Sequence, residues 1–153
     1  ESKGDSGIGN DVPQIDTTRN LTLYRALTKS MSRGLVASAH DCSDGGLATA
    51  LAECCFGCDS GASLEISNIF SKSQDLNIWG ALFGESLGRI LVSIKPENSN
   101  EFEKLMIGNE CNLIGNVDSE DLIIVKKLGK TVLTSSMTEL RKEWKKTLNE
   151  GGN

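Results

Sequence analysis

Apolar residues recur at helical spacing in several parts of the chain. In the first of these segments, the spacing of three or four residues places Leu21, Tyr24, Leu27 and Met31 on one apolar side. Asp16 precedes this segment as a candidate N-cap, and Gly34 follows it, as glycine commonly does after a helix C-terminus. The pattern predicts helices over about 17–33, 44–57, 76–83 and 98–107, and from Ser136 onward.

Aliphatic and β-branched runs between these helices predict short strands. The expected strands lie at 35–39, 62–66, 90–94, 112–117, 122–125 and 130–133. We expect the strand at 35–39 to be buried, and those at 112–117 and 122–125 to be joined by a turn. Helices first and hairpin strands later predict an α+β domain, with a mixed β-sheet covered by helices. The polar residues 1–16 are interpreted as a linker or lead-in to one domain over 17–153.

The stretch from Leu35 to Cys58 combines a strand, a tight polar turn and an amphipathic helix. Ser43 or Asp44 is predicted to cap the helix, and Gly45 and Gly46 leave room for a group to approach the first-turn amides. A glycine-rich turn that leads from a strand to a helix N-terminus is a geometry that binds phosphate and other anions. The alternative is a capped turn whose glycines only permit a sharp bend.

The second conspicuous loop, Gly84–Arg89, leads into the strand at 90–94. Arg89 offers a planar fork suited to phosphate or carboxylate. Asp41, Asp44 and Glu85 are hard oxygen donors suited to Mg²⁺ that phosphate also coordinates. The alternative here is an internal polar network in which Arg89 pairs with Glu85 or Asp41 and fastens the two loops together.

Charge and composition exclude several classes of protein. A net charge of −5, with basic residues clustered only at 141–146, argues against nucleic-acid binding. No apolar run reaches the roughly 18–20 residues that a membrane span requires, so we expect no membrane partner and a cytoplasmic location. A hydrolytic triad is disfavoured because His40 is the only histidine.

Five cysteines include a CxxC pair, Cys55 and Cys58. Cys54, Cys55 and Cys58 fall on the apolar side of the predicted 44–57 helix and its end, where free thiols behave as small hydrophobic groups. We therefore interpret them as core residues and expect no metal or redox site at these cysteines.

Two long segments resemble motifs of phosphoribosylformylglycinamidine synthase, a member of the aminoimidazole ribonucleotide (AIR) synthetase superfamily. Residues 40–53 resemble the HDxSDGGLxxALAE motif of its C-terminal half, and residues 82–89 resemble its LFxESxxR segment. The segments 114–117 and 138–144 are similar to its IGxV strand and its closing ELxxxW helix. The opening, as far as residues 13–16, is similar to the segment that links the domains of that family.

The resemblance implies the last C-terminal domain of an ATP-dependent enzyme that makes formylglycinamidine ribonucleotide from formylglycinamide ribonucleotide and glutamine-derived ammonia. It implies ATP and Mg²⁺ as cofactors of the full enzyme. The implied partners are its N-terminal domains, a glutaminase subunit or domain and small nucleotide ligands. The catalytic histidine of the family lies in the N-terminal domains, so His40 is not assigned a catalytic role, and the chain alone is expected to be inactive.

Site residues carry over only where the motifs match. Asp41 is the implied metal contact, and the implied substrate or phosphate contacts are Ser43, Asp44, Gly45, Gly46, Glu85, Ser86 and Arg89. Leu87 stands where glutamine is common in the family, which favours packing over polar contact. Two alternatives stay open: a purely structural docking domain of that enzyme, and the C-terminal domain of another AIR synthetase-superfamily enzyme.

Overall fold

The computed structural model describes residues 15–58, 60–70 and 78–150. The predicted lead-in up to residue 14 and the start of the helix predicted at 76–83 lie outside these ranges. The helices are α1 (Thr17–Ser32), α2 (Gly46–Phe56), α3 (Ile78–Phe83), α4 (Ser99–Met106) and α5 (Met137–Glu150). The strands are β1 (Val36–Asp41), β2 (Gly61–Glu65), β3 (Ile90–Ile94), β4 (Gly115–Asp118), β5 (Leu122–Lys127) and β6 (Lys130–Ser136).

The strands form two separate sheets. β1 and β3 make an antiparallel pair, and the four-stranded sheet has the order β4-β2-β5-β6. Its β2–β5 pair is parallel, while the β2–β4 and β5–β6 pairs are antiparallel. The predicted α+β class with a mixed sheet is confirmed.

The strands around residues 115 and 122 are joined by a short connection, as predicted, but they do not pair as a hairpin, because β2 lies between β4 and β5. Ala62 of β2 aligns with Val117 on one side and with Ile123 on the other. Ala62 and Leu64 of β2 are almost completely buried, and the central position in the sheet provides this burial. Close spacing along the chain is therefore a poor guide to neighbours here.

Among the described residues, two larger apolar cores and a third, small cluster of Cys42, Leu47 and Ala50 stabilise the fold. The larger core lies between α2, α3, the start of α5 and the four-stranded sheet, and includes Leu51, Leu82 and Val125. The smaller core packs Leu27 of α1 against Phe102 and Met106 of α4, with β1 and β3 beside them. The larger core covers one face of the four-stranded sheet, and this sheet carries most of the buried strand residues.

Helix α1 buries a face different from the predicted one. Asp16 caps the helix as expected, accepting from Arg19 N–H at 2.9 Å. Of the predicted apolar side, only Leu27 is buried, while Leu21, Tyr24 and Met31 are exposed. Ser30 is fully buried, and its hydroxyl tolerates this position because it donates to Ala26 O at 2.9 Å. Burial therefore follows the neighbours available to α1, and the predicted apolar side faces away from them.

Three other burial predictions need correction. The strand predicted to be buried, β1, exposes most of its residues, since among the described strands it pairs only with β3. The sequence pattern predicts Trp79 as the anchor of the helix at 76–83 and Trp144 on the buried side of the last helix. They are instead 55% and 51% exposed. Cys58 is exposed, whereas Cys55 is buried as predicted, and burial raises the pKa of the Cys55 thiol to about 11.

No helix in the described ranges has the length and apolar character needed to cross a bilayer.

Candidate functional site

The β1–β3 pairing brings the two conspicuous loops together. Asp41 at the end of β1 aligns with Ile90 at the start of β3, so the loop before α2 lies beside the loop that ends at Arg89. The backbone joins them directly, since Cys42 N–H donates to Arg89 O at 2.9 Å. Residues predicted from two distant motifs therefore line one site.

A carboxylate of the protein binds the turn at the start of α2. Gly45 N–H donates to Glu85 Oε1 at 2.9 Å. Gly45 is itself the N-cap, with a positive φ of 75° and no side-chain cap, so the prediction of a Ser43 or Asp44 cap is wrong. The Ser43 hydroxyl donates to the Asp41 carboxylate instead. The glycine-rich pattern predicts an anion at this turn. In the structure the Gly45 amide binds the carboxylate of Glu85, a residue of the chain itself.

Gly46 allows the second loop to lie directly on α2. A Cβ at this position would come within 2.7 Å of Gly84 O and 2.9 Å of Leu82 O. Gly46 also has a φ of 64°, in the left-handed region that favours glycine. The close approach of the two loops therefore depends on the missing side chain.

Arg89 completes the end of α3. Its guanidinium donates to Gly84 O at 3.1 Å and to Ala81 O at 3.0 Å. Carbonyls at a helix C-terminus carry partial negative charge and lack partners within the helix. Arg89 thus fixes the position of the Gly84–Gly88 loop with two of the five N–H donors that a guanidinium has.

The two loops enclose an open cleft of about 560 Å³. Its charged lining consists of three carboxylates, Asp41, Asp44 and Glu85, and one guanidinium, Arg89. The hydrogen bond from the Ser43 hydroxyl holds the pKa of Asp41 below its usual value, so this carboxylate stays ionised. An excess of negative charge repels a bare phosphate, so an anionic ligand needs an accompanying cation here.

The cleft fits part of a magnesium coordination shell. Carboxylate oxygens on facing loops are the donors that Mg²⁺ prefers, and this ion commonly takes only one or two of them together with substrate phosphate and water. Within the described residues, no group of three or more His, Cys, Asp or Glu side chains is arranged to hold a metal by itself. The donor set therefore suits Mg²⁺ that arrives with a phosphate ligand.

The lining of the cleft differs from the predicted set of site residues. Ser86 is exposed but does not line the cleft, and neither do Gly45 and Gly46. Tyr24 of α1 and Leu87 line one wall, and neither was predicted as a site residue. Tyr24 was assigned to the buried side of α1, and only the observed rotation of that helix reveals its position.

The only histidine contacts α2 and does not line the cleft. His40 Nε2 lies 2.7 Å from Glu53 Oε2, and both side chains are about one third exposed. The pair joins β1 to α2 across 13 positions of sequence. The sequence contained both residues in one motif but gave no sign that they meet.

Comparison with known proteins identifies relatives. The family model "AIR synthase related protein, C-terminal domain" matches residues 1–127. The PurL subunit of phosphoribosylformylglycinamidine synthase from Lactobacillus helveticus is 39% identical over 122 residues, which are 80% of this chain and 15% of that protein. The chain thus spans less than a fifth of the length of this relative.

Solved structures share the fold. Thermotoga maritima PurL complexed with FGAR matches 90% of this chain and 23% of its own, with a TM-score of 0.79 and 21% identity. The complex of the same protein with ATP matches 78% of this chain and 21% of its own, with a TM-score of 0.72 and the same identity. The family match covers all the residues that line the cleft, and the chain belongs to the family of AIR synthase related proteins, C-terminal domain.

Proposed function

We infer that this chain is the C-terminal domain of an ATP-dependent phosphoribosylformylglycinamidine synthase of purine biosynthesis. The similarity to a PurL subunit supports the assignment to this enzyme. The cleft between the two loops supports a ligand-facing role for the domain within it. In this proposal residues 1–16 link the domain, at 17–153, to the rest of the enzyme. The domain contributes a wall that faces phosphate and Mg²⁺, while the reaction takes place on other domains.

The charge of the cleft assigns the roles within it. Asp41 is the metal contact, and Asp44 and Glu85 hold the surrounding negative charge that makes the cation necessary. Ser43 and Arg89, which line the cleft, face the phosphate or substrate. Gly45, Gly46 and Ser86 do not line it and take an indirect part: the two glycines shape the turn, and Ser86 belongs to the loop that Arg89 holds. Mg²⁺, when bound, supplies the positive charge that lets a polyphosphate enter a cleft with three carboxylates.

The full enzyme uses ATP to activate the amide oxygen of formylglycinamide ribonucleotide, and ammonia from glutamine then displaces the resulting phosphate. The proposal places this chemistry on the N-terminal domains and the ammonia supply on a glutaminase subunit or domain. No residue of this chain is assigned to a catalytic step. We expect no synthase turnover from the 153-residue chain alone.

A second candidate, a purely structural docking domain, is favoured by specific contacts. Glu85 already accepts from the Gly45 amide at 2.9 Å, and Arg89 already binds two carbonyls. Gly46 is explained by its contact with the second loop alone. In this alternative the same residues fasten two loops, and the domain binds no ligand of its own.

Calorimetric titration of the chain separates the two candidates. With Mg·ADP, the ligand-facing cleft predicts saturable binding that disappears when EDTA removes the metal. Asp44→Asn removes a carboxylate that makes no hydrogen bond to another described side chain, and should weaken Mg·ADP binding by about tenfold or more. Formylglycinamide ribonucleotide, titrated separately, shows whether the substrate also binds here.

Glu120→Gln is the matched control, since Glu120 is an exposed acid in the β4–β5 connection, away from the cleft lining. It makes the same change of net charge and should leave binding unchanged. A folded chain that binds neither Mg·ADP nor the ribonucleotide supports the docking domain and contradicts a ligand-facing cleft. If Asp44→Asn and Glu120→Gln weakened Mg·ADP binding equally, the effect would come from net charge alone. The binding site could then not be assigned to the cleft.

A further inference from the structure

Part of the cleft lining is apolar, and the roles assigned above leave it unused. The larger apolar side chains of the lining are those of Tyr24 on α1, Leu87 in the second loop and Ile90 at the start of β3. The three carboxylates and the guanidinium described above also line the cleft. The cleft therefore offers two chemically different surfaces to one ligand.

Contacts of α1 hold Tyr24 at the cleft. A Cβ at Gly88 would lie 2.7 Å from Asn20 Oδ1, so the Asn20 side chain lies directly against the backbone of the second loop. Tyr24 follows Asn20 by four residues, and residues at this spacing lie on the same face of a helix. Ile90 packs against the core that contains Leu27 of the same helix. The position of Tyr24 is therefore fixed by contacts that precede and follow it along α1.

Tyr24 presents an unoccupied aromatic ring to the cleft. Its side chain is 43% exposed. Within the described residues, its ring makes no stacking contact and its hydroxyl makes no hydrogen bond. An accessible aromatic ring is a surface on which the planar base of a nucleotide stacks, and this stacking needs the face of the ring rather than particular hydrogen bonds.

The two surfaces of the cleft match the two ends of a nucleotide. Carboxylates together with Mg²⁺ suit the phosphate end, and the ring of Tyr24 suits the base. The cleft volume of about 560 Å³ lies within the range of about 300–1,000 Å³ that is typical of small-molecule sites. Formylglycinamide ribonucleotide carries an open chain on its ribose where a nucleotide carries a base, so it has no aromatic ring to stack.

We propose that Tyr24 stacks on the base of a nucleotide bound in the cleft, and that it selects nucleotides over phosphate ligands without a base. This inference rests on the proposed function, because it needs the phosphate end of the ligand to bind with Mg²⁺ among the carboxylates. Tyr24 determines binding specificity and takes no part in a catalytic step.

Two diphosphates that differ only in the base test the proposal. Adenosine diphosphate and ribose 5-diphosphate are each titrated with Mg²⁺ into the chain in a calorimeter. We expect adenosine diphosphate to bind on the order of tenfold more tightly, which is the effect of one base stacked on an aromatic side chain. Stacking also lowers the ultraviolet absorbance of adenine, a signal that a purely structural role of Tyr24 would not produce.

Two variants assign the preference to the ring of Tyr24. Tyr24→Leu keeps an apolar side chain and removes the ring. It should weaken adenosine diphosphate about tenfold, to the affinity of ribose 5-diphosphate, and abolish the absorbance change. The affinity for ribose 5-diphosphate should stay the same. Tyr24→Phe keeps the ring and should bind adenosine diphosphate within about twofold of the native chain.

Leu21→Ala is the control on the same helix. Leu21 is 49% exposed, similar to Tyr24, and does not line the cleft, so this variant should bind both diphosphates as the native chain does. Circular dichroism and urea midpoints check that each variant is folded. If Tyr24→Leu does not fold, the native chain and Tyr24→Phe still compare the two diphosphates and the absorbance change.

Several results would overturn the proposal. Equal affinity of the native chain for the two diphosphates would contradict stacking and leave the ligand-facing cleft intact. A preference for adenosine diphosphate that Tyr24→Leu does not alter would mean that the base binds elsewhere. Weaker binding of formylglycinamide ribonucleotide to Tyr24→Leu would show that the ring contacts the open chain of that substrate. A folded chain that binds neither diphosphate would contradict the proposed function itself, and this inference with it.

Discussion

At the scale of single residues, Glu65 shows how one carboxylate fixes a distant turn. It accepts from Leu128 N–H at 3.1 Å and from Gly129 N–H at 2.9 Å, in the turn between β5 and β6. The Ser67 hydroxyl and backbone also donate to it. The Ser67 hydroxyl and the Gly129 N–H lower the pKa of Glu65 to about 2. These hydrogen bonds favour the ionised carboxylate and hold the turn in which Leu128 has a φ of 51°.

The first prediction concerns acid stability. The pKa of Glu65 is lower in the folded chain than its ordinary value of 4.5, so folding disfavours its protonation. The stabilisation is complete above about pH 4.5 and is lost as the pH falls toward 2. Urea midpoints at pH 7, 4 and 3 should fall more steeply for the native chain than for Glu65→Gln. Glu97→Gln, at an exposed acid, should keep the native slope, and a slope that Glu65→Gln leaves unchanged would contradict this reasoning.

The second prediction separates contact from backbone strain at Gly46. Gly46→Ala meets Gly84 O at 2.7 Å and has a φ of 64°. Gly34→Ala has a similar φ of 69° but nothing within 4 Å of the new Cβ. Strain alone costs about 1–2 kcal/mol, and overpacking adds about 1–3 kcal/mol. Urea unfolding should therefore show a clearly larger loss for Gly46→Ala, and equal losses would mean that the second loop moves away without cost.

At the scale of elements, periodicity located the helices better than it chose their buried faces. α1 has apolar side chains on two overlapping stripes, and Leu27 belongs to both. Packing against α4 selects the stripe with Leu23 and Ala26, which information local to α1 does not contain. β2 and β5 pair in parallel for a similar reason, since the partner of Ala62 is Ile123, far away in the sequence.

The third prediction tests the orientation of α1 with two leucines. Leu27→Ala empties a buried position between α1 and α4 and should lower the free energy of unfolding by about 2–5 kcal/mol. Leu21→Ala makes the same chemical change at an exposed position of the same helix, and should cost about 0.5 kcal/mol or less. Guanidinium denaturation measures both. A larger cost for Leu21→Ala would support the buried side that the sequence pattern predicted.

At the scale of the whole molecule, the sequence predicted the fold class and the meeting of the two motif loops. The fold class was predictable because strand–turn–helix patterns depend on residues close together in the sequence. The meeting of the loops was predictable because residues 40–53 and 82–89 resemble two motifs of one family. The sequence did not predict which groups satisfy one another. Glu85 accepts from the Gly45 amide and Arg89 donates to Ala81 O, although the sequence offers each of these charged side chains several other partners. Only the relative placement of α3 and β3 decides which partner each one takes.

The β1–β3 pair also has a consequence for the order of folding. Ser38 and Ser93 face each other across it although they are 55 residues apart, with their hydroxyl oxygens at 2.6 Å. Closing so long a loop is slow compared with forming a helix. The cleft is built on this pair, so it exists only in chains whose β1 and β3 have come together. A ligand of the cleft would therefore bind only chains that have completed this closure, and its binding rate during refolding would time that step.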